Sequence, residues 1–124
     1  MENKKVLLIE DDPLMQTLYQ NTFELEGAHL LVAPDGLAGI EMAKTEKPAL
    51  ILLDLLMPKM SGYEVLKILK ETTETKDIPV IVLSNMLDTK ENVEKVTALG
   101  AAEYWVKSNF TSEDIVEKVK KYLG

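Results

Sequence analysis

Residues 50–54 read Leu50-Ile51-Leu52-Leu53-Asp54, an unbroken apolar run that ends in a carboxylate. Such a run, closed by a polar residue, is typical of a strand that is covered on both faces. A carboxylate at the tip of a buried strand costs free energy unless something there uses it. Because open α/β sheets bind ligands beyond the carboxyl ends of their strands, Asp54 is the first candidate functional residue.

Three further apolar runs end in polar side chains in the same way. They are residues 6–9, 80–83 and 104–106, and they are followed by Glu10-Asp11-Asp12, Ser84 and Lys107 respectively. If the four runs form parallel neighbouring strands, these carboxylates, the hydroxyl and the amine converge on one pocket with Asp54.

The whole chain alternates strand patterns with helix patterns five times. Strands are predicted near residues 4–9, 29–33, 49–54, 79–84 and 102–106. Helices are predicted from Pro13 to Glu26, from Asp35-Gly36 to before Pro48, after Ser61-Gly62, from Asp88 to Gly100, and from Thr111 or Ser112 onward. This alternation predicts right-handed βαβ units. The fold class is therefore α/β: a flavodoxin-like, doubly wound, five-stranded parallel sheet of strand order 2-1-3-4-5 with five helices.

Helix faces and caps can also be predicted. Asp12 is a plausible N-cap for the first helix, with Pro13 in the first helical position. We expect Leu14, Leu18 and Leu25 to form the apolar stripe of that helix, beside Met15. The last helix is expected to bury a face that consists of Ile115, Val116, Val119, Tyr122 and Leu123.

Composition excludes several classes of function. The chain has 124 residues, which suits a single domain over 1–124 without an output domain. Its net charge is −7 and all of its 14 basic residues are lysines, so direct nucleic-acid binding is not expected. It has no cysteine, and no apolar stretch approaches the roughly 20 residues that span a bilayer. We therefore expect a cytoplasmic protein that does not bind membranes.

The carboxylates predict a metal site. Glu10, Asp11 and Asp54 would crowd one crevice, where like charges repel and raise the pKa of each carboxyl group. Mg²⁺ relieves this conflict, since it prefers oxygen ligands and is typically held by one or two carboxylates and a phosphate. Asp12 is better explained as a helix cap than as a ligand.

The same crevice predicts phosphoryl chemistry. Carboxylates form aspartyl phosphates, and catalysis then depends on stabilising the charge of the transferring group. Asp54 is the candidate nucleophile, with the Lys107 ammonium and the Ser84 hydroxyl as ligands of the phosphoryl oxygens. His29, the single histidine, starts the second strand and is expected to be structural.

Four motifs together resemble the receiver domain of two-component response regulators, including the chemotaxis member, over essentially the whole chain. They are residues 7–13, 52–62, 78–84 and 100–107. The resemblance implies that Asp54 accepts a phosphoryl group from a sensor histidine kinase or phosphotransfer protein. It also implies that Asp11 binds Mg²⁺ directly, Glu10 acts through metal-bound water, and the backbone carbonyl of Leu56 completes the metal site. Ser84 and Lys107 would bind the phosphoryl oxygens.

The resemblance also implies a switch. When Ser84 moves toward the phosphoryl group, Tyr104 would turn inward and change the face formed by helix 4, strand 5 and helix 5. We expect this face to bind a downstream protein or a second copy of the chain. Trp105 or Phe110 is a candidate anchor if it is exposed, but buried packing of Trp105 and anchoring of the loop by Phe110 are the favoured interpretation.

Two positions, Ser108 and Asn85, depart from the family pattern. Ser108 follows Lys107 where the family commonly has a proline, often after a cis peptide, so this bond is expected to be trans or strained. Asn85 replaces a small residue beside the acceptor. Leu56 and Met86 flank the path of the hydrolytic water and are both apolar, which predicts slow self-dephosphorylation.

Alternative functions stay open. Asn85 and Ser108 favour a pseudo-receiver, the same fold used as a constitutive protein-binding adaptor. A flavin carrier would need a hydroxyl- and glycine-rich loop after strand 1, where this chain has acids. A haloacid-dehalogenase-type phosphatase would need an aspartate at position 56, which is Leu56. We expect a module that assists its own phosphorylation and dephosphorylation, and not an enzyme that turns over an external substrate.

Overall fold

The computed structural model describes residues 4–57, 59–84 and 90–124. Five strands form one parallel sheet of order β2-β1-β3-β4-β5. The strands are β1 (Lys5–Ile9), β2 (His29–Ala33), β3 (Leu50–Leu53), β4 (Val80–Ser84) and β5 (Glu103–Val106). The helices are α1 (Pro13–Leu25), α2 (Gly36–Glu46), α3 (Gly62–Glu71), α4 (Lys90–Ala98) and α5 (Ser112–Leu123). The predicted fold class, element order and strand order are confirmed, while Asp88, the predicted start of α4, lies outside the described residues.

Strand register aligns the carboxyl ends of the strands. Ile9 lies opposite Leu53, and Leu53 lies opposite Val82. On the other side of β4, Ser84 lies opposite Val106. The residues that immediately follow β1, β3 and β5 are therefore at one edge of the sheet, as the sequence predicts.

The sheet separates two hydrophobic cores, because alternate residues of each strand point to opposite faces. One core lies under α2, α3 and α4 and includes Leu7, Ile9, Leu53, Val65, Leu66, Val82 and Val96. The other lies under α1 and α5 and includes Leu8, Tyr19, Phe23, Leu52, Leu83, Trp105 and Val116. Strands covered on both sides explain the continuous apolar runs in the sequence.

Side-chain caps define where four helices begin, including α3, whose Glu64 N–H donates to the Ser61 hydroxyl at 3.3 Å. The Asp12 carboxylate accepts a hydrogen bond from the Leu14 N–H at 2.9 Å, which confirms its predicted role. Asp35 caps α2 in the same way, and Thr111 forms a capping box with Asp114 at the start of α5. Each cap satisfies backbone N–H groups that have no partner within the helix.

The prediction for the buried face of α1 is wrong. Leu14, Leu18 and Leu25 are 81%, 46% and 86% exposed. Tyr19 and Phe23 face the core instead. The helix has two apolar faces, and periodicity alone does not say which of them the sheet covers. An exposed apolar face is therefore left on α1.

One aromatic residue of α5 differs from expectation, whereas the aromatic residue of β5 agrees with the favoured interpretation. Tyr122 of α5 is 40% exposed, whereas Ile115, Val116 and Val119 are buried as predicted. Trp105 is buried in the core under α1 and α5, so it is not an exposed anchor in this structure. In the described parts of the chain, no helix has the length and apolar content that a membrane crossing requires.

Gly62→Ala is expected to destabilise the fold. A Cβ atom at this position would lie 2.5 Å from both the Asp54 carbonyl oxygen and the Leu55 Cα, which are backbone atoms that cannot move aside. We expect a loss of roughly 3 kcal/mol, typical of severe overpacking. Urea unfolding measures it as a lower midpoint at unchanged slope.

Gly27→Ala is the matched control, since no atom lies within 4 Å of the added Cβ and only the left-handed φ of +72° opposes it. That strain costs about 1 kcal/mol. If both variants lost the same free energy of unfolding, the close contact at Gly62 could not explain the effect of Gly62→Ala.

Candidate functional site

Three strands position three charged side chains at the carboxyl edge of the sheet. Glu10 follows β1 and Asp54 follows β3, and their backbone N–H groups donate to Ala33 and Ile9 at 3.1 and 3.2 Å. Lys107 follows β5. The last rungs of the parallel ladder thus fix Glu10 and Asp54 on a rigid frame, and Lys107 directly follows β5 at the same edge.

Lys107 is a buried ammonium between two buried carboxylates. Its Nζ donates to Oε1 of Glu10 and lies 3.7 Å from Oδ2 of Asp54. The exposed fraction is 1% for Glu10, 6% for Asp54 and 8% for Lys107. Buried side chains stay ionised only when they are paired with opposite charges. The ion pairs of Lys107 with Glu10 and Asp54 therefore stabilise this cluster.

Backbone and amide groups fix the carboxylates further. The second oxygen of Glu10 accepts from the Asp12 N–H at 3.2 Å, and Oδ1 of Asp54 accepts from the Leu56 N–H at 3.3 Å. Gln16 of α1 donates its side-chain amide to the Glu10 carbonyl at 2.7 Å. The sequence reading missed Gln16, although its position one turn into α1 could have suggested contact with the β1–α1 loop.

The pKa of Asp54 is raised from 3.8 to about 7. Burial is the main cause, and the Glu10 carboxylate adds to it, while the Lys107 ammonium acts in the opposite direction. Burial also raises the pKa of Asp11, with smaller contributions from its acidic neighbours Glu10 and Asp12. Negative charge is therefore in excess at this site, even though Lys107 is present.

The donor set suits a hard divalent cation. Carboxylate oxygens of Glu10, Asp11 and Asp54 lie within 4.8 Å of one another. Carboxylate oxygens are the ligands that Mg²⁺ prefers. A divalent cation would compensate the excess negative charge of the three carboxylates. The carbonyl of Leu56 as a further ligand stays a prediction.

A cavity of about 300 Å³ opens onto these groups. Its lining consists of Glu10, Asp11, Asp12, Met15, Asp54, Leu56 and Lys107. The Asp54 carboxylate is thus reached through an opening whose rim is partly apolar, at Met15 and Leu56.

Ser84 and Tyr104 lie on the other face of the sheet from Lys107. Ser84 is the buried last residue of β4, and it is not among the residues that line the cavity. Tyr104 lies opposite Val82 and packs against the core under α2, α3 and α4. By strand alternation Ser84 points to that same face. Their roles as phosphoryl ligand and switch stay predictions, and Asn85 and Met86 lie outside the described residues.

The segment after Lys107 is a short turn. Residues Lys107–Asn109 form a 3₁₀ turn that Phe110 ends, and no peptide bond in the described residues is cis. The Lys107–Ser108 bond is therefore trans. His29 lies opposite Lys5, at the other end of β1 from Glu10, in agreement with a structural position away from the site.

Comparison with known proteins identifies the family. The family model of the response regulator receiver domain matches residues 6–120. The polar-differentiation response regulator DivK of Brucella anthropi is 31% identical over 121 residues, which cover 98% of this chain and 97% of the relative. The chain therefore belongs to the receiver-domain family of response regulators.

Solved structures agree with this assignment. The receiver domain of the Francisella response regulator 1452 is 30% identical with a TM-score of 0.85, over 98% of this chain and 97% of that one. The Mn²⁺-bound form of the response regulator Rcp1 is 30% identical with a TM-score of 0.78, over 96% and 93% of the two chains.

Proposed function

We propose that this chain is a receiver module that accepts a phosphoryl group on Asp54 and changes its surface in response. The observation that carries the proposal is a buried carboxylate held between an ammonium and two further carboxylates at the edge of the sheet. Simple structural ion pairing does not require three carboxylates for one ammonium, whereas phosphoryl transfer to a carboxylate needs cationic groups around the acceptor.

The reaction is a direct displacement. An Oδ atom of Asp54 forms a bond to phosphorus while the phosphorus–nitrogen bond of a donor phosphohistidine breaks, and the imidazole leaves with the electron pair. Lys107 then moves from Glu10 toward the phosphoryl oxygens. Ser84, which is buried at the end of β4 and does not line the cavity, must also move toward them before it donates its hydroxyl hydrogen. Bound Mg²⁺ would neutralise negative charge on the carboxylates and the phosphoryl group. The Mn²⁺-bound form of Rcp1 supports a divalent ion at a site of this family.

The donor partner is a sensor histidine kinase or a phosphotransfer protein, and the exposed apolar face of α1 suits its docking. Leu14, Leu18 and Leu25 recur at helical spacing and are exposed. Residues 13–23 carry no charged side chain, in a chain of net charge −7. Exposed apolar surfaces of this kind mark interaction sites. The face starts beside Met15, which lines the Asp54 cavity, so a partner held there reaches the acceptor.

The output partner is a downstream protein or a second copy of the chain, bound by α4, β5 and α5. The proposed module acts in the cytoplasm and assists its own phosphorylation, without turnover of an external substrate.

Incubation with Mg²⁺ and acetyl phosphate tests the proposal. Intact mass is expected to rise by one phosphoryl group, and a chelator is expected to prevent the increase. Unchanged mass in Mg²⁺ would instead support the second candidate, a pseudo-receiver that binds partners constitutively, which the departures at Asn85 and Ser108 favour.

Leu56→Asn is expected to accelerate loss of the phosphoryl group. Leu56 lines the cavity and is largely exposed, so an amide there can orient a water toward the phosphorus, which a leucine cannot do. We expect release to become on the order of tenfold faster, which is about 1.4 kcal/mol of barrier. A time course of phosphate release measures it. Leu37→Asn, at an exposed leucine outside the cavity, serves as control, and equal rates for the two variants would refute the explanation.

A further inference from the structure

Lys118 of α5 lies between two aromatic rings. Its Nζ is 4.8 Å from the ring centroid of Trp105 and 4.8 Å from that of Phe110. Both distances are within the roughly 6 Å at which a cation interacts with an aromatic face. The Trp105 indole N–H also donates to the Glu103 carboxylate at 2.7 Å. We call Trp105, Phe110 and Lys118 the aromatic clamp.

Both aromatic residues of the clamp lie close to Lys107 along the chain. Trp105 lies on β5, two residues before Lys107, and both rings pack in the core under α1 and α5. Phe110 ends the turn that Lys107 begins, and its N–H donates to the Lys107 carbonyl at 3.2 Å. A displacement of the Lys107 backbone therefore changes the position of the Phe110 ring relative to Trp105.

We propose that the aromatic clamp carries the state of Asp54 to α5 along a route separate from Ser84 and Tyr104. This inference rests on the proposed function. A phosphoryl group on Asp54 draws the Lys107 ammonium away from Glu10, because it adds about −1.5 to −2 charges and three acceptor oxygens. The turn then moves together with Lys107, and Phe110 moves with the turn. As a result, the Lys118 ammonium loses its contact with one of the two aromatic rings. The route runs on the α1 and α5 face of the sheet, whereas Tyr104 lies on the opposite face.

A second position is available to Lys118. Asp114 lies four residues earlier on α5, at the spacing that allows an ion pair on a helix surface. A cavity of about 400 Å³ adjoins the clamp, and its lining includes Phe110, Asp114, Glu117 and Lys118. Movement of Lys118 toward Asp114 would widen this cavity and expose the Phe110 ring to a partner. Lys118 is thus a positioning residue for the output surface and does not touch the phosphoryl group.

Trp105 is the single tryptophan of the chain, so its fluorescence reports directly on the clamp. On incubation with Mg²⁺ and acetyl phosphate, the emission maximum of the wild-type protein is expected to shift to longer wavelength as the ring gains water. Lys118→Met is expected to gain the same phosphoryl mass but to lose most of the emission shift. Lys118→Arg keeps the cation and is expected to retain the shift.

Lys67→Met is the control, because Lys67 is an exposed lysine of α3 that makes no ring contact among the described residues and does not line the cavity beside the clamp. This variant is expected to behave as wild type. An equal emission shift in Lys118→Met and wild type would overturn the clamp, as would phosphorylated wild type with unchanged emission. If intact mass shows no phosphoryl gain, the proposed function fails and the clamp route fails with it. Circular dichroism verifies that each variant is folded.

Discussion

Asp54→Asn is expected to abolish phosphoryl acceptance completely. The substitution keeps the size of the side chain and the hydrogen bond from the Leu56 N–H, but the amide oxygen lacks the negative charge and the nucleophilicity that bond formation to phosphorus needs. The neighbouring carboxylates are engaged elsewhere: Glu10 is bonded to Lys107 and the Asp12 N–H, and Asp12 caps α1. Asp11 is the proposed direct ligand of Mg²⁺, so we expect none of the three to replace Asp54. Intact mass after incubation with Mg²⁺ and acetyl phosphate is the measurement.

Asp35→Asn is the matched control for this experiment. Asp35 caps α2, asparagine is an equally good cap, and the carboxylate does not line the Asp54 cavity. This variant is expected to gain the phosphoryl mass as wild type does. Phosphoryl gain in Asp54→Asn would show that another residue is the acceptor.

The same Asp54→Asn variant is expected to be more stable than wild type at alkaline pH. The pKa of Asp54 is about 7 in the folded chain against 3.8 for an ordinary aspartate. The folded state therefore binds this proton more tightly than the unfolded state, and stability falls as pH rises from about 4 through 7. The neutral amide avoids that loss, so the advantage of the variant is small at pH 5 and large at pH 8.

The size of the gain follows from the pKa change. A pKa change of this extent corresponds to a change of at most about 4 kcal/mol in the free energy of unfolding. Loss of the contact with Lys107 offsets part of it, although Lys107 keeps its bond to Glu10. We expect on the order of 2 kcal/mol at pH 8, measured by urea unfolding in the presence of a chelator.

Mg²⁺ provides the internal control for the stability experiment. In the proposed site, a cation held by Glu10, Asp11 and Asp54 would stabilise the folded wild type by mass action. Added Mg²⁺ is expected to reduce the advantage of Asp54→Asn. A difference between variant and wild type that does not change with pH would contradict an unfavourable buried charge at Asp54.

The positions of the polar residues at the ends of the strands could be predicted from the sequence, because two simple rules determine them. Continuous apolar runs mark strands covered on both faces, and the strand alternation fixes which ends share an edge. The sequence alone therefore predicts that three charged residues meet at one edge of the sheet. The structure places them together there; they are Glu10, Asp54 and Lys107. The cap at Asp12 follows from an equally local rule.

Other features depend on which faces pack together, and a periodic pattern does not contain that information. Helix α1 has apolar residues on two faces, and only the sheet determines that Phe23 is buried while Leu14 is exposed. The contacts of Lys118 join residues 8 and 13 positions apart along the chain. Such contacts depend on how α5 crosses β5, which no local pattern specifies.

Chemical mapping of the modified residue tests the central claim most directly. The protein is incubated with Mg²⁺ and acetyl phosphate, any acyl phosphate is reduced with borohydride to the corresponding alcohol, and peptides are sequenced by mass spectrometry. We predict reduction at position 54 alone, dependent on Mg²⁺. Reduction at position 10, 11 or 12, or an unmodified peptide that contains residue 54, would contradict the assignment of this buried carboxylate as the phosphoryl acceptor.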